Sequence, residues 1–252
     1  MPDSVLNEHP RLVEPQPIRL SAADFWLLRR AGAFGGYSRS ELLEGELWGT
    51  LVRDEEAGHK YPIKLRIEDY LRLSEAGAFD RYGRTELIDG VVYAMNPQHR
   101  PHGFAKDELA YRLRRALEAM GSDLHVATEQ SVAMTIHDQP EPDIILTTEP
   151  RGPGAIPGAS VALLVEIAHT SLDHDLLRKA PLYALRRVAE YWVVDVNAGL
   201  IHQMWSPQGE AYGEQREVKL GSGSRRRRSS AWRWKRPRLG SYCPISSSLT
   251  RL

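Results

Sequence analysis

The chain has 252 residues, of which 42% are hydrophobic and 26% charged, enough for one or two domains with a sizeable core and ordinary for a soluble globular protein. Its single cysteine, Cys243, excludes an intrachain disulfide framework or a cysteine-rich zinc cluster and fits a reducing cytoplasm. The first residues lack the apolar stretch of a signal peptide, and no apolar run approaches a membrane span. Formal net charge is zero, with 33 basic and 33 acidic residues, but nine of the basic ones fall in 222–252, where no Asp or Glu occurs. The remainder therefore carries 24 basic against 33 acidic residues: an acidic body and a basic tail.

Residues 1–17 are polar and proline-bearing and are expected to be disordered. Two matching segments follow. "IRLSAADFWLLRRAGAFGGYSRSELLEGELW" (18–48) returns as "IKLRIEDYLRLSEAGAFDRYGRTELIDGVVY" (63–93), offset by 45 residues without a gap. Leu20 matches Leu65, Asp24 matches Asp69, and Glu41 matches Glu86. Each segment reads as a short helix and a β-hairpin, the turns being Glu44-Gly45 and Asp89-Gly90. The pattern implies a duplicated segment, 18–50 being the partial copy, and two copies are too few for a solenoid.

Leu109, Leu113, Leu117 and Met120 recur at helical spacing, which predicts an amphipathic helix over about 102–120 stopped by Gly121. "LHVATEQSVAMTI" reads as one or two strands, "DIILTT" as a strand, and "VALLVEIA" as a strand buried on both faces. A helix is expected within 175–188, with Pro181 at its start or kinking it. "EYWVVDV" is another buried strand, paired with "LIHQMW" across Asn197-Ala198-Gly199. The order predicts an α/β fold, a mixed sheet flanked by helices, over 63–205. The tail 222–252 has no strand or helix period. Its readings are an arm whose arginines grip phosphates while Trp232 and Trp234 stack on bases, a disordered segment, or a slipped reading frame replacing a final strand.

The chemistry-bearing pair is Asp143, which opens "DIILTT" after Pro142, and Glu166, inside "LLVEIA". A carboxylate in a buried strand is costly unless paired, hydrogen-bonded or metal-bound. Two carboxylates aimed at one point call for a hard divalent cation such as Mg²⁺, which prefers oxygen ligands. Such an ion can generate hydroxide and stabilise charge on a phosphate, and a nearby lysine would orient the water or stabilise the transition state.

"ELIDG", "PEPDIIL", "LLVEIAHTSLDHDLLRKAPLYA" and "EYWVVD", in this order and spacing, resemble the Uma-two family of restriction-endonuclease-like proteins in the PD-(D/E)XK nuclease superfamily. The resemblance implies a restriction-endonuclease-like mixed sheet and a metal-dependent endonuclease acting on DNA. It implies that Asp143 is the acid of the PD motif and Glu166 the acid of the next core strand. Ala168 then stands at the usual lysine position, and the lysine function has moved to Lys179. Glu86 in "TELIDG" is implied as an additional acid. The expected catalytic set is Asp143, Glu166, Lys179 and Glu86, the metal ligands are Asp143, Glu166 and Glu86, and the cofactor is Mg²⁺ with Mn²⁺ as substitute. DNA is the implied substrate, and a homodimer is one arrangement that would cut two strands. The alternative is an inactive nucleic-acid- or protein-binding module on the same fold.

The other candidates have plainer readings. Glu41 lacks a following "PD" partner. His102 reads as a helix-start residue rather than a ligand, and Glu129 and Gln130 as minor candidates for metal support. Asp173 and Asp175 read as helix N-caps, Asp195 as a strand-end acid bonding a turn, and Tyr191 and Trp192 as core.

Overall fold

The structure, a computed structural model, describes residues 15–96, 98 and 100–220; the basic stretch 222–252 and residues 1–14 lie outside them. Of the segment expected to be disordered, residues 15–17 are described, and Pro17 pairs with Tyr93.

Helix α1 (Ala22–Arg30) starts with a capping box in which the Ser21 N–H donates to Asp24 Oδ2 at 2.7 Å and the Asp24 N–H to Ser21 Oγ at 3.2 Å. It buries Phe25 and Leu28 and leads into the hairpin β1 (Tyr37–Leu43) and β2 (Glu46–Leu51). After β3 (Tyr61–Pro62), helix α2 (Ile67–Glu75) is followed by the hairpin β4 (Thr85–Ile88) and β5 (Val91–Ala94). Both turns have positive φ at their two central residues, 50° and 81° at Glu44-Gly45 and 49° and 76° at Asp89-Gly90, the geometry that fits the twist of hairpin strands. Each glycine is also pinned by a close approach. A Cβ on Gly45 would stand 2.6 Å from Arg19 Cβ, and one on Gly90 2.4 Å from Lys64 Cβ.

The two helix–hairpin units exchange their lead-in strands. Pro17 pairs with Tyr93 of the second hairpin, and Pro62 with Trp48 of the first. The Ile18 N–H donates to the Val92 carbonyl at 2.7 Å, and the Ile63 N–H to the Leu47 carbonyl at 2.8 Å. Phe25 stacks on Phe34 as Tyr70 stacks on Phe79. The units share one core, with Leu28 and Leu73 fully buried in it.

Helix α3 (Arg100–Met120) buries Leu109, Leu113 and Leu117 and ends before Gly121, whose φ is 61°. Then come β6 (His125–Thr128), β7 (Val132–Ala133), β8 (Ile144–Thr147), β9 (Ile156–Pro157) and β10 (Val161–Ala168). The chain continues through α4 (Leu172–His174), a π-helical segment (Asp175–Lys179), α5 (Ala180–Leu185), β11 (Glu190–Asp195), β12 (Leu200–Gln208) and β13 (Ala211–Lys219). Six of these strands form a sheet in the order β13-β12-β11-β10-β8-β6. β10 and β11 are parallel and the other neighbours antiparallel, so the sheet is mixed. A parallel pair needs a crossover, and the helical stretch 172–185 supplies it. The sheet also continues past residue 205, through β12 and β13.

Alternation along β10 sorts its side chains between two cores. Leu163, Val165 and Ile167 pack with α3, Trp192 and Val194. Leu164 and Ala168 pack with Ile145, Tyr191, Val193 and residues of α5. The strand reads as unbroken apolar sequence because both faces are covered. The second hairpin docks on the sheet domain through Leu87 and Gln139, which exchange two backbone hydrogen bonds of 2.8 and 3.2 Å. Asp138, fully buried, clasps the same junction by accepting from the Asp89 N–H at 2.7 Å and pairing with Arg186 at 2.8 Å. Among the described residues no helix is long and apolar enough to cross a membrane.

Candidate active site

Glu166 shares the parity of Leu164 and Ala168 on β10, so it faces the α5 side of the sheet. Asp143, immediately before β8, shares the parity of Ile145 and faces the same side. The sheet register sets Val165 opposite Ile144, which brings the two acids to neighbouring strand positions. Glu86 arrives from β4 and Lys179 from the end of the π-helical segment. All four side chains are more than nine-tenths buried, and all four residues line one cleft of about 70 Å³.

Lys179 is the hub. Its Nζ lies 3.0 Å from Glu166 Oε1 and 3.1 Å from Glu86 Oε1. The Tyr183 hydroxyl donates to the same Glu166 oxygen at 3.1 Å. Asp143 Oδ2 accepts the Ile167 N–H at 2.8 Å, and His102 Nε2 stands 3.1 Å from it. Glu86 Oε2 accepts the Glu141 N–H at 3.3 Å.

The position of Lys179 has a local cause. Pro181 lies in the first turn of α5, has no N–H to donate, and its ring would collide with the carbonyl four residues back, Leu177. A wider π turn immediately upstream relieves this, and such turns recur at functional sites. Ala168, where the resemblance placed the usual lysine, is 1% exposed and belongs to the same apolar cluster as Ala180 and Tyr183 of the covering helix. A small side chain is what that packing admits.

Burial raises the Glu166 carboxyl well above the ordinary range; Lys179 opposes the rise, while Asp175, Asp143 and Glu86 add to it. Burial likewise pushes Asp175 up to about 7. Burial works against the charge of Lys179, but Glu166, Glu86 and Asp175 outweigh it and hold the amine well above the usual lysine value. His174 is pushed down to about 4, by burial first and then by Lys179, so its ring is neutral. Glu86, Asp143, Glu166 and Asp175 thus set four buried acids around one buried ammonium, more than it can pair, and burial turns Glu166 and Asp175 toward the protonated form. Oxygen donors from three separate elements, short of positive charge, fit a hard divalent cation. Among the described residues no three His, Cys, Asp or Glu side chains already stand in the tight grouping of a metal-bound site; Lys179 holds Glu86 and Glu166 instead.

The structure brings together the four predicted site residues and adds others. His102 is more than a helix-start residue, since it contacts Asp143. Asp175 is not an N-cap: Ser171 occupies the cap position, and its hydroxyl donates to the buried Asp175 Oδ2 at 2.7 Å. Asp173 lies in the first turn after that cap. His174 and Tyr183 also went unread. The signal for Asp175 was its i,i+4 spacing to Lys179 in "DHDLLRK", which places both on one side of a helix. Glu129 is occupied by Lys106, Gln98 and Arg84, and Gln130 reaches only backbone carbonyls of Thr128 and Glu129. Glu41 is half-exposed and pairs with Lys60. Asp195 bonds the turn N–H groups of Asn197 and Ala198, both at 2.9 Å, as a strand-end acid should. Tyr191 and Trp192 are core. A larger groove of about 650 Å³ along β6 and residues 149–156 contains none of the four.

A family model, Uma2, described as "Putative restriction endonuclease", matches residues 67–227, more than half of the chain. A solved structure described as "a putative nuclease belonging to DUF820 from Anabaena variabilis" is similar at 16% identity, with a TM-score of 0.47, covering 62% of this chain and 84% of that one. No curated protein matches.

Proposed function

This chain belongs to the Uma2 family, and on that footing we propose that it is a divalent-metal-dependent endonuclease hydrolysing phosphodiester bonds in DNA. The observation that carries the reading is the meeting of Glu86, Asp143, Glu166 and Lys179 in one buried cleft, three acids against one ammonium. Glu86, Asp143 and Glu166 would hold the ion, Mg²⁺ or in its place Mn²⁺. When bound, such an ion supplies an activated water and stabilises charge on the phosphate.

The chain's own groups prepare that site. The Ile167 N–H fixes Asp143 and the Tyr183 hydroxyl fixes Glu166. Lys179, kept protonated by its acidic neighbours, acts as a fixed positive charge toward phosphate oxygens as negative charge builds on them. That role replaces proton abstraction, for which an amine must be neutral. One such cleft attacks one strand at a time, so cutting both strands would use a second copy.

Cleavage of supercoiled plasmid with Mg²⁺ tests the reading on wild type, Asp143→Asn and Lys179→Met. Each variant is expected to lose at least about 100-fold in rate, as removal of one preorganised electrostatic group commonly costs. Equal cleavage by all three would sink it. A second reading, a binding module without turnover, is favoured by Lys179 already bridging two of the acids and by the acidic body. Titration calorimetry separates the two, because the module needs no Mg²⁺ or Mn²⁺ binding.

A further inference from the structure

The buried imidazole of His174 is unaccounted for by the three acids and the lysine. The residue is 5% exposed and lines the same cleft. Its Nε2 is buried and makes no hydrogen bond. Glu86 Oε1 is 4.0 Å away, beyond hydrogen-bond reach. The ring is not loosely placed. It meets Tyr93 edge-on with centroids 5.8 Å apart, and the Tyr93 hydroxyl is held in turn by Arg178 at 2.8 Å. A buried polar nitrogen with no partner is rare and calls for an explanation, an absent ion among them.

We propose that His174 Nε2 is a nitrogen ligand of the divalent ion held by Glu86, Asp143 and Glu166, so that this cleft takes a borderline first-row ion such as Mn²⁺ in preference to Mg²⁺. The proposal rests on the metal-dependent reading above and deepens it. Two ligands of one octahedral ion, with bonds of about 2.1 Å, stand roughly 3.0 Å apart when adjacent and about 4.2 Å when opposite. The 4.0 Å between His174 Nε2 and Glu86 Oε1 is close to the second of these spacings. Mg²⁺ takes oxygen ligands and sheds water reluctantly, whereas imidazole suits the transition ions. A purely oxygen site would be indifferent to the change; three carboxylates with one imidazole are not. His102 and His169 also line the cleft; His102 is already engaged with Asp143 through Nε2, which makes it the control.

The test loads the full chain with Mn²⁺ alone and records pulsed electron paramagnetic resonance for ¹⁴N coupling from a directly bound imidazole, together with calorimetric titrations of Mn²⁺ and of Mg²⁺. Wild type is expected to show the coupling. His174→Gln is expected to lose it and to lose at least about 10- to 100-fold in Mn²⁺ affinity, the range already seen on losing an outer-shell partner of a ligand, with Mg²⁺ affinity changed far less. Mn²⁺ bound to wild type without ¹⁴N coupling overturns the proposal, and so does coupling that survives His174→Gln but vanishes in His102→Gln; both outcomes leave the nuclease reading standing. If neither ion binds wild type, the proposal and the metal-dependent reading fall together. The wild-type spectrum decides even if a variant fails to fold.

Discussion

The first and second helix–hairpin units carry the same elements in the same order, with paired turns, paired aromatic stacks and reciprocal lead-in strands. They part at one position. Glu41 on β1 is half-exposed and tied to Lys60, while its counterpart Glu86 on β4 is 2% exposed and tied to Lys179. The backbone does not make this difference. β4 is covered along its whole length, by the strand-like stretch around Gln139 and by the Lys179 helix, whereas β1 is only partly covered. A shared sequence pattern produced a shared local shape, and what lies over that shape turned one acid into a candidate ligand and left the other a surface charge.

That contrast can be broken in several ways. The largest effect is expected for the lysines. Lys179→Met strips the buried acids of their partner and should cost about 3–5 kcal/mol in urea unfolding without metal. Lys60→Met touches an exposed pair and should stay within about 1 kcal/mol. Similar losses would mean that the two acids are not differently placed. Next, Glu86→Gln should lower Mg²⁺-dependent cleavage by at least about 100-fold, whereas Glu41→Gln should leave it unchanged; a matching loss at Glu41 would show that the first unit takes part. The turns should then behave alike. Gly45→Ala and Gly90→Ala each force an L-residue to positive φ against a close neighbour, so denaturation should show at least about 1–2 kcal/mol lost at both. A wide gap between them would separate the two hairpins energetically.

The smallest effect concerns the tie between the second unit and the sheet. Arg84 joins Glu129 at 3.0 Å, and Lys106 joins the same carboxylate. The Lys106 hydrogen bond, with Gln98 and Arg84 assisting against partial burial, holds Glu129 below its ordinary 4.5. A depressed acid stabilises the fold above the unfolded-state value and loses that contribution as pH falls through the folded one. The advantage of wild type over Glu129→Gln should therefore be full above about pH 5 and fade below about pH 4 in acid unfolding followed by circular dichroism. An advantage independent of pH would assign Glu129 a purely steric role.

The sequence by itself determined a good deal. The amphipathic spacing of Leu109, Leu113 and Leu117 located α3, unbroken apolar runs located β10 and β11, and Glu-Gly and Asp-Gly located both hairpin turns, because these signals act within a few residues of chain. Asp143 and Glu166 stood out because a carboxylate beside or inside a buried strand needs a partner wherever that strand lies. The tertiary structure alone decided the rest. It chose Glu86 over Glu41, since coverage comes from residues some 50 to 90 positions away. It drew His174 and Tyr183 into the cleft, because which side of the 172–185 helical stretch meets the sheet is decided by packing, although Pro181 marks locally where the turn must widen. Burial is a property of the assembled fold, and here it is burial that lifts Glu166 and Asp175 out of the ordinary acid range, while the neighbouring acids keep Lys179 protonated.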